Sequence, residues 1–558
     1  MIQNPILPGF YPDPSICRVG DDFYMVTSSF SYFPGVPIFH SRDLKNWEQI
    51  GHVLDRPSQL WLTYEDISAG IFAPTIRYHD GIFYMITTNM TGGPKNFIVT
   101  ATDPAGPWSE PYMLETAHGI DPSLFFDDDG RMYFTGTRVD HGNFADQYIW
   151  CCEVDPKTLK LIGEGWRLWA GALKNTVAPE APHLYKKDGW YYLMIAEGGT
   201  EHFHAVTISR SRDLHSEFQG YEGNPILTHR HLGKMYPICN PGHADIVELK
   251  DGSWYMVMLA SRIYGGYHKI LGRETFITPM TWEDGWPVVN PGVGHVEMEC
   301  PQPDLAEYKI QAPYENIAAP AVKDDFDGSH LGLSWNFLGT PYEEFSRIEN
   351  SRLYLKLLDQ GIVPMDREGL PYALFERFGQ SGKTKKCVSF VGRRQQHMNC
   401  SVTVKMEFLP EDAQSAGITV IQNEAHQLRI QCRADGCTGR VCIEAAKTVS
   451  LNNNGKLAYQ TEILGSHLLE SGSEWYLKIC AKGIYYSFYA GCDSDHMVLL
   501  AENVDGGFLG SETSGGFVGA YIGMFASSCT VASDGLHESD KNSGEKWAAF
   551  DWFEYMEG

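Results

Sequence analysis

Asp13, Asp121 and Glu180 stand in the words Asp13-Pro-Ser, Asp121-Pro-Ser and Glu180-Ala-Pro, and each opens one copy of a phrase that recurs along the first half of the chain. Acids this far apart in sequence can act together only if the fold brings the chain back to one point. If it does, two carboxyls can divide the hydrolysis of a glycosidic bond. One protonates the leaving oxygen while the other activates water or attacks the sugar. A third carboxyl nearby raises the pKa of one member by repulsion, which keeps a general acid protonated near neutral pH. Taken singly, each of these words is ordinary turn chemistry; their place in successive repeats is what marks them. Asp80, Asp129, Asp188 and Asp251, which precede turn glycines in the same repeats, are read as hairpin chemistry only.

The phrase that must position the acids occurs five times. It opens at Asp13-Pro-Ser-Ile-Cys, Ala73-Pro-Thr-Ile-Arg, Asp121-Pro-Ser-Leu-Phe, Glu180-Ala-Pro-His-Leu and His243-Ala-Asp-Ile-Val. Each copy passes through a glycine turn to an aromatic-tyrosine pair or its equivalent, and Tyr24, Tyr84, Tyr133, Tyr192 and Tyr255 fall 60, 49, 59 and 63 residues apart. Self-similarity of this period with short alternating strands predicts an all-β, five-bladed propeller over residues 1–300. The first residues of equivalent repeats then ring one end of its channel. Residues 301–323 hold four prolines (Pro301, Pro303, Pro313 and Pro320) and read as a linker. From 324 to 558 the strands continue without a repeat, as in Leu353-Tyr-Leu-Lys-Leu and Trp475-Tyr-Leu-Lys-Ile, which predicts a β-sandwich of jelly-roll or lectin type.

Bulk properties narrow the partners. The 558 residues carry 44 Lys and Arg against 70 Asp and Glu, a net charge of −26. That field repels phosphate backbones and anionic membranes, so neither nucleic acid nor a membrane is expected as a partner. A neutral, polyhydroxylated ligand needs no steering field. No apolar stretch approaches the ~20 residues of a membrane span. The N-terminus lacks a leader pattern, and 13 cysteines, an odd number, suit reduced thiols better than a disulfide framework. The expectation is a cytoplasmic protein, and a large acidic sandwich could pair with itself.

Several ordered motifs resemble glycoside hydrolase family 43, most of all its two-domain β-xylosidases and α-L-arabinofuranosidases. They are Pro8-Gly-Phe-Tyr-Pro-Asp13-Pro-Ser, Gly70-Ile-Phe-Ala-Pro-Thr-Ile-Arg77, Gly119-Ile-Asp121-Pro-Ser-Leu and Pro179-Glu180-Ala-Pro-His-Leu-Tyr. Leu271-Gly-Arg273-Glu-Thr-Phe and Asp325-Phe-Asp-Gly belong to the same likeness, which spans nearly the whole chain. It implies an inverting, exo-acting hydrolase releasing xylose from the non-reducing end of β-1,4-xylo-oligosaccharides. Asp13 matches the general base, Glu180 the general acid, and Asp121 the residue that orients the acid. Acid and base should then stand ~6.5–9.5 Å apart, leaving room for water. Phe30 and Phe72 are candidate pocket walls. Phe72 departs from the pattern, because related xylosidases carry Trp there, which leaves strict xylosidase specificity open. Arg273 resembles a sugar-binding arginine, with a structural ion pair as its bland alternative. Thr200 matches a position near the pocket, His243 opens the fifth repeat where others place acids, and Phe517 resembles a loop aromatic that closes the pocket.

Other signals are weaker. His202 and His204 alternate on one strand face but have no third metal ligand, and Cys432, Cys437 and Cys442 lack the paired spacing that zinc favours. No cofactor is required by the chemistry, although Asp325, Asp327 and Asp551 could together bind a structural Ca²⁺. Two other functions compete. A fructan or sucrose hydrolase is disfavoured because Pro12 and Ile120 stand where its Asn-Asp-Pro-Asn and Arg-Asp-Pro words need other residues. A non-catalytic sugar-binding protein would not require three converging acids.

Overall fold

Five four-stranded antiparallel blades follow one another along the chain, each built from contiguous sequence; in the fourth, Leu227–Thr228 adds a further short strand. The computed structural model describes residues 1–558 except 65, 141–145, 175–176, 320, 364–367, 374–375, 378–386, 412, 436–439, 470–471, 533–534, 539–544 and the side chains of 530–538. The blades begin with strands Ser15–Val19, Thr75–His79, Ser123–Phe126, Glu180–Lys187 and Ile238–Glu248. The turn words behave as expected: Asp80-Gly81 and Asp188-Gly189 both take left-handed backbone at each residue (φ 47° and 83°, 51° and 72°), the geometry of a type I′ hairpin. Apolar residues of adjacent blades interleave. Val26, Ile38, Ile76 and Met85, for example, form one cluster between the first and second blades. The ring closes without a swapped strand. Instead the N-terminal segment runs across the fifth blade, where Ile6 N–H donates to Thr275 O at 2.9 Å, and Ile2–Gln3 pairs with Glu299–Cys300.

After the fifth blade, residues 301–319 do not hang free as a linker. Tyr308 N–H donates to Asp43 Oδ2 at 2.8 Å, Tyr308 OH hydrogen-bonds the buried Glu48, and Ile317 N–H donates to Trp47 O at 3.0 Å. The prolines therefore stiffen a connector laid along the first blade.

The second half is a sandwich of two eight-stranded sheets. Val402, Val404, Leu477 and Ile479 of one inner face meet Ile418, Val420, Leu428, Ile522 and Met524 of the other. Alternation of these residues with Thr403, Lys405 and Lys478 on the outer face is the period-two pattern of a half-buried sheet. One edge strand of the second sheet comes from the propeller: Tyr32–Phe33 pairs with Asn336–Leu338. Tyr32 also stacks on Tyr521 with ring centres 3.7 Å apart. A buried cluster including Phe10, Phe30, Phe72, Phe390, Val518 and Tyr521 thus joins the domains, and Phe30 and Phe72 are two of its members.

Asp551 ion-pairs with Arg352 and Lys405, and Asp325 with Lys323. Two of the three acids considered for Ca²⁺ are thus held by cationic side chains, and no group of three or more His, Cys, Asp or Glu placed to hold a metal ion occurs among the described residues. Cys437 lies outside the described residues; the described cysteines are all free thiols. No helix among the described residues is long and apolar enough to cross a membrane.

Candidate active site

The words Pro14-Ser15, Pro74-Thr75 and Pro122-Ser123 lead into the innermost strands of the first three blades, and Pro182-His183 and Ala244-Asp245 hold the same register position within those of the fourth and fifth. One residue before each word stand Asp13, Ala73, Asp121, Ala181 and His243. Four of these five take left-handed backbone, with φ of 56° at Asp13, 54° at Asp121, 52° at Ala181 and 48° at His243. Such a conformation costs about 1–3 kcal/mol at a residue with a side chain, and persists where the surrounding fold over-determines it. Here it turns the chain at the same point of the repeated word in four of the five blades. The register corrects one sequence expectation: Asp13 and Asp121 are equivalent, but Glu180 stands one residue ahead of them. A bulge between Glu180 and His183 absorbs the extra residue and re-aims the carboxyl.

Asp13 is buried and held by a dense set of donors. Ser28 Oγ donates to Oδ2 at 2.5 Å, Arg273 Nη1 to Oδ1 at 2.8 Å, and His243 Nδ1 stands 3.6 Å from Oδ1. Burial works against its charge, but Arg273, His243 and the Ser28 hydrogen bond outweigh burial and hold the carboxyl below its usual range. Asp121 and Glu180 have the opposite environment. Burial, then the repulsion of Glu180 and Asp13, lifts Asp121 well above the usual range. Burial and the charge of Asp13 raise Glu180 to about 7, against the opposing effects of Gln147 and Arg273. The two titrate as a pair that keeps a proton near neutrality. Asp121 also accepts the N–H of Ala181 at 3.2 Å, so it fixes the backbone next to Glu180. Gln147, which hydrogen-bonds the Glu180 carboxyl, donates to Pro179 O at 3.0 Å on its other side.

Around these acids the predicted wall residues converge. Phe30, Phe72 and Phe517 form a trio with ring centres 5.1, 5.8 and 6.2 Å apart. Gly70 lets the Phe72 segment approach Phe30: a Cβ there would stand 2.2 Å from Phe30 O. The Arg273 guanidinium lies over Phe30 and Phe517 at 5.6 and 6.0 Å, and touches Thr200 Oγ1 at 3.3 Å and Phe517 O at 3.2 Å. Its Nε is buried without a partner among the described residues. The ion-pair and sugar-binding readings of Arg273 are compatible, because Nη1 pairs with Asp13 while Nη2, bonded to Phe517 O, carries a second N–H. Burial and Arg273 keep His243 below its usual pKa despite Asp13. Thr200 shares the site with Asn240, which donates to Thr200 O at 3.2 Å. His204 is buried, hydrogen-bonds Asn240 O at 3.0 Å and is held to about 4 by burial. His202 instead packs its ring on Phe203. The two histidines do not converge on a metal.

Sequence reasoning missed the layer beneath the acids. Asp245 accepts Ser15 Oγ at 2.7 Å, Arg77 Nη1 at 2.8 Å and Tyr185 OH at 2.6 Å, while Arg77 Nη2 donates to His183 Nδ1 at 2.8 Å. Ser15, His183 and Asp245 occupy the same register position in three blades, a signal that aligning the five words would have exposed. Ser28 and Gln147 carry no such signal.

Comparison with known proteins agrees with this architecture. Residues 2–287 match the model of glycosyl hydrolases family 43, and residues 323–556 match the β-xylosidase C-terminal concanavalin A-like domain. A xylosidase/arabinosidase of Butyrivibrio fibrisolvens is 45% identical over 95% of this chain and 97% of its own length. A non-reducing end α-L-arabinofuranosidase of Bacteroides ovatus is 34% identical over 99% of this chain and 94% of its own. The crystal structure of a xylan β-1,4-xylosidase from Bacillus halodurans superposes with a TM-score of 0.85 at 32% identity, covering all of both chains. With both halves matched in order and three acids gathered at the hub, the chain belongs to glycosyl hydrolase family 43.

Proposed function

We propose that the protein is an inverting, exo-acting β-xylosidase that removes xylose from the non-reducing end of short β-1,4-xylo-oligosaccharides, with Asp13 as base and Glu180 as acid. The observation that carries this reading is the division of three hub carboxyls, Asp13 and Asp121 buried and Glu180 half-buried, into two electrostatic states, one held ionised and a pair that retains a proton. In the reaction, Asp13 takes a proton from water as its oxygen bonds to the anomeric carbon. Glu180 gives its proton to the glycosidic oxygen as the carbon–oxygen bond breaks. Xylose leaves with inverted configuration, together with the shortened chain, and solvent returns the two carboxyls to their starting states. Asp121 holds the Glu180 backbone and keeps the proton on the pair. Phe30, Phe72 and Phe517 supply apolar surface to the sugar, and the remaining N–H of Arg273, with Thr200 and His243, supplies polar contacts. No step calls for a metal or cofactor.

A second substrate reading rests on Phe72. A phenyl ring there leaves more room than an indole, and an arabinofuranosyl residue presents similar hydroxyls. The B. ovatus relative is named for that activity. The free thiols of the described cysteines support a reducing, cytoplasmic setting acting on imported oligosaccharides. The deciding experiment is hydrolysis of 4-nitrophenyl β-D-xylopyranoside and 4-nitrophenyl α-L-arabinofuranoside side by side, by wild type and Asp13→Asn. Xyloside turnover that dominates and collapses in the variant supports the proposal. Dominant arabinoside turnover keeps the mechanism and moves the substrate. Cleavage of neither leaves a sugar-binding protein.

A further inference from the structure

We infer that Glu512, contributed by the sandwich, is a positioning residue for sugar binding: it clamps the loop of residues 510–517 to the fifth blade and so holds Phe517 in the pocket. The inference rests on the pocket reading given above.

The loop needs a clamp. Gly515 and Gly516 take left-handed backbone with φ of 71° and 82°, and a stretch rich in glycine has little preference for any one path. Nor is it backed by packed core. Residues 512–516 form one wall of a cavity of about 300 Å³ whose other walls include Arg377, Glu424 and His426.

Two anchors fix its ends to the propeller. The downstream one is main chain: Ala520 N–H donates to Ile270 O at 2.9 Å, and a Cβ on Gly272 would stand 2.7 Å from Gly519 Cα. The upstream anchor is the Glu512 side chain. Oε1 lies 2.9 Å from His268 Nδ1, and Oε2 accepts the Lys269 N–H at 3.2 Å. The carboxylate reaches them by folding back over Gly510, where a Cβ would stand 2.1 Å from Oε1.

From Lys269 the contacts continue into the site. Its buried ammonium pairs with Glu201, the neighbour of Thr200. Thr200 Oγ1 accepts from Arg273, and Arg273 Nη2 donates to Phe517 O. The Phe517 N–H is held by Ser68 Oγ at 3.0 Å. Glu512, Lys269, Glu201, Thr200, Arg273 and Phe517 therefore form a closed circuit from sandwich to propeller and back. A residue that only glued the domains together would not need to sit in that circuit.

The test is a double-mutant cycle on the full chain: wild type, Glu512→Ala, Phe517→Ala and the double variant, with Glu512→Gln as the conservative control and thermal unfolding measured for each. KM for 4-nitrophenyl β-D-xylopyranoside is expected to rise about tenfold in Glu512→Ala with kcat within about threefold, the pattern of lost binding rather than lost chemistry. The double variant should be no worse than Phe517→Ala within about twofold, because the clamp acts through that ring. Glu512→Gln, which still offers an acceptor to Lys269, should fall between. An unchanged KM in Glu512→Ala, or effects that multiply in the double variant, overturns the inference, whatever happens to the melting temperature. If the wild type cleaves neither sugar, the same cycle is read on the Kd of D-xylose, which separates failure of the substrate reading from failure of the clamp.

Discussion

Replacing Glu180 by glutamine keeps the side chain's size and an acceptor oxygen but removes the proton that the proposed acid must deliver. With the carboxyl raised to about 7, about nine-tenths of the free enzyme holds that proton at pH 6 and about one-tenth at pH 8. The acid is needed protonated, so kcat/KM of the wild type should fall on the alkaline side, about tenfold per unit above pH ~7. In Glu180→Gln that limb should vanish. For xylobiose, whose leaving alkoxide is poor, loss of the acid should cost about 10²–10⁴ in kcat/KM, which is about 2.7–5.4 kcal/mol at 1.36 kcal/mol per tenfold. For 4-nitrophenyl β-D-xylopyranoside, whose leaving phenolate needs little help, the loss should stay within about tenfold. The assay is a pH series of kcat/KM for both substrates, by both enzymes. An alkaline limb that persists in the variant, or equal losses on the two substrates, would refute the assignment of Glu180 as acid.

Other consequences follow from the same contacts. Arg273→Met removes the charge that most favours ionised Asp13. The acid limb of the pH profile should move up by about one unit or more while kcat/KM falls, and an unmoved limb would mean that Arg273 does not set the state of Asp13. Phe72→Trp adds bulk at a nearly buried site against Phe30 and Phe517. It should shift the ratio of xyloside to arabinofuranoside turnover by about tenfold, within the 1–3 kcal/mol that one pocket contact commands; an unchanged ratio removes Phe72 from specificity. Burial and Asp66 raise Glu424 to about 7 even with Arg377 beside it. A carboxyl whose folded value lies above its unfolded one loses stability as pH rises from about 4.5 to 7. Glu424→Gln should therefore gain on wild type by on the order of 2 kcal/mol between pH 5 and pH 8, read by denaturant unfolding at both pH values.

How much of this was legible in the sequence depended on whether a signal was local. Asp13 and Asp121 stand at the same point of a repeated word, and that repetition alone places them on one ring. Glu180 was found by the same route but misplaced by one residue, because the bulge that re-aims it leaves no mark beyond an extra alanine before proline. Arg273 and Phe517 were found by resemblance, yet their contact, Nη2 to a main-chain oxygen 244 residues away, is set by how the two domains dock. The same holds for Tyr32–Phe33. Its two residues look like the end of a blade hairpin, but they complete a sheet of the sandwich because stacking on Tyr521 draws them across. Four prolines marked residues 301–323 as a linker, yet Ala321–Asp324 already pairs with the last strand of the sandwich, Trp547–Glu557. The prolines did not reveal Tyr308 and Ile317, which bind the segment to the first blade through partners chosen by proximity alone.

The layer under the acids explains how the hub tolerates them. Five strands enter the axis side by side, so the same register position in every blade points at the same narrow space. At that level three blades supply Ser15, His183 and Asp245, and Arg77 from the second blade bridges them. Asp245 is ionised, held low by Arg77 and by the hydrogen bonds of Tyr185 and Ser15 against the effect of burial. His183 is neutral, with burial pulling it down to about 3. The lower layer is thus one carboxylate against one guanidinium, balanced within itself and contributing no net charge to the acids above. Had it carried excess positive charge, the Asp121–Glu180 pair would lose its proton and the acid would fail. Had it carried excess negative charge, Asp13 would gain one and the base would fail. Opposite protonation of carboxyls around one hub therefore depends on a neutral floor as much as on Arg273, which pairs directly with Asp13.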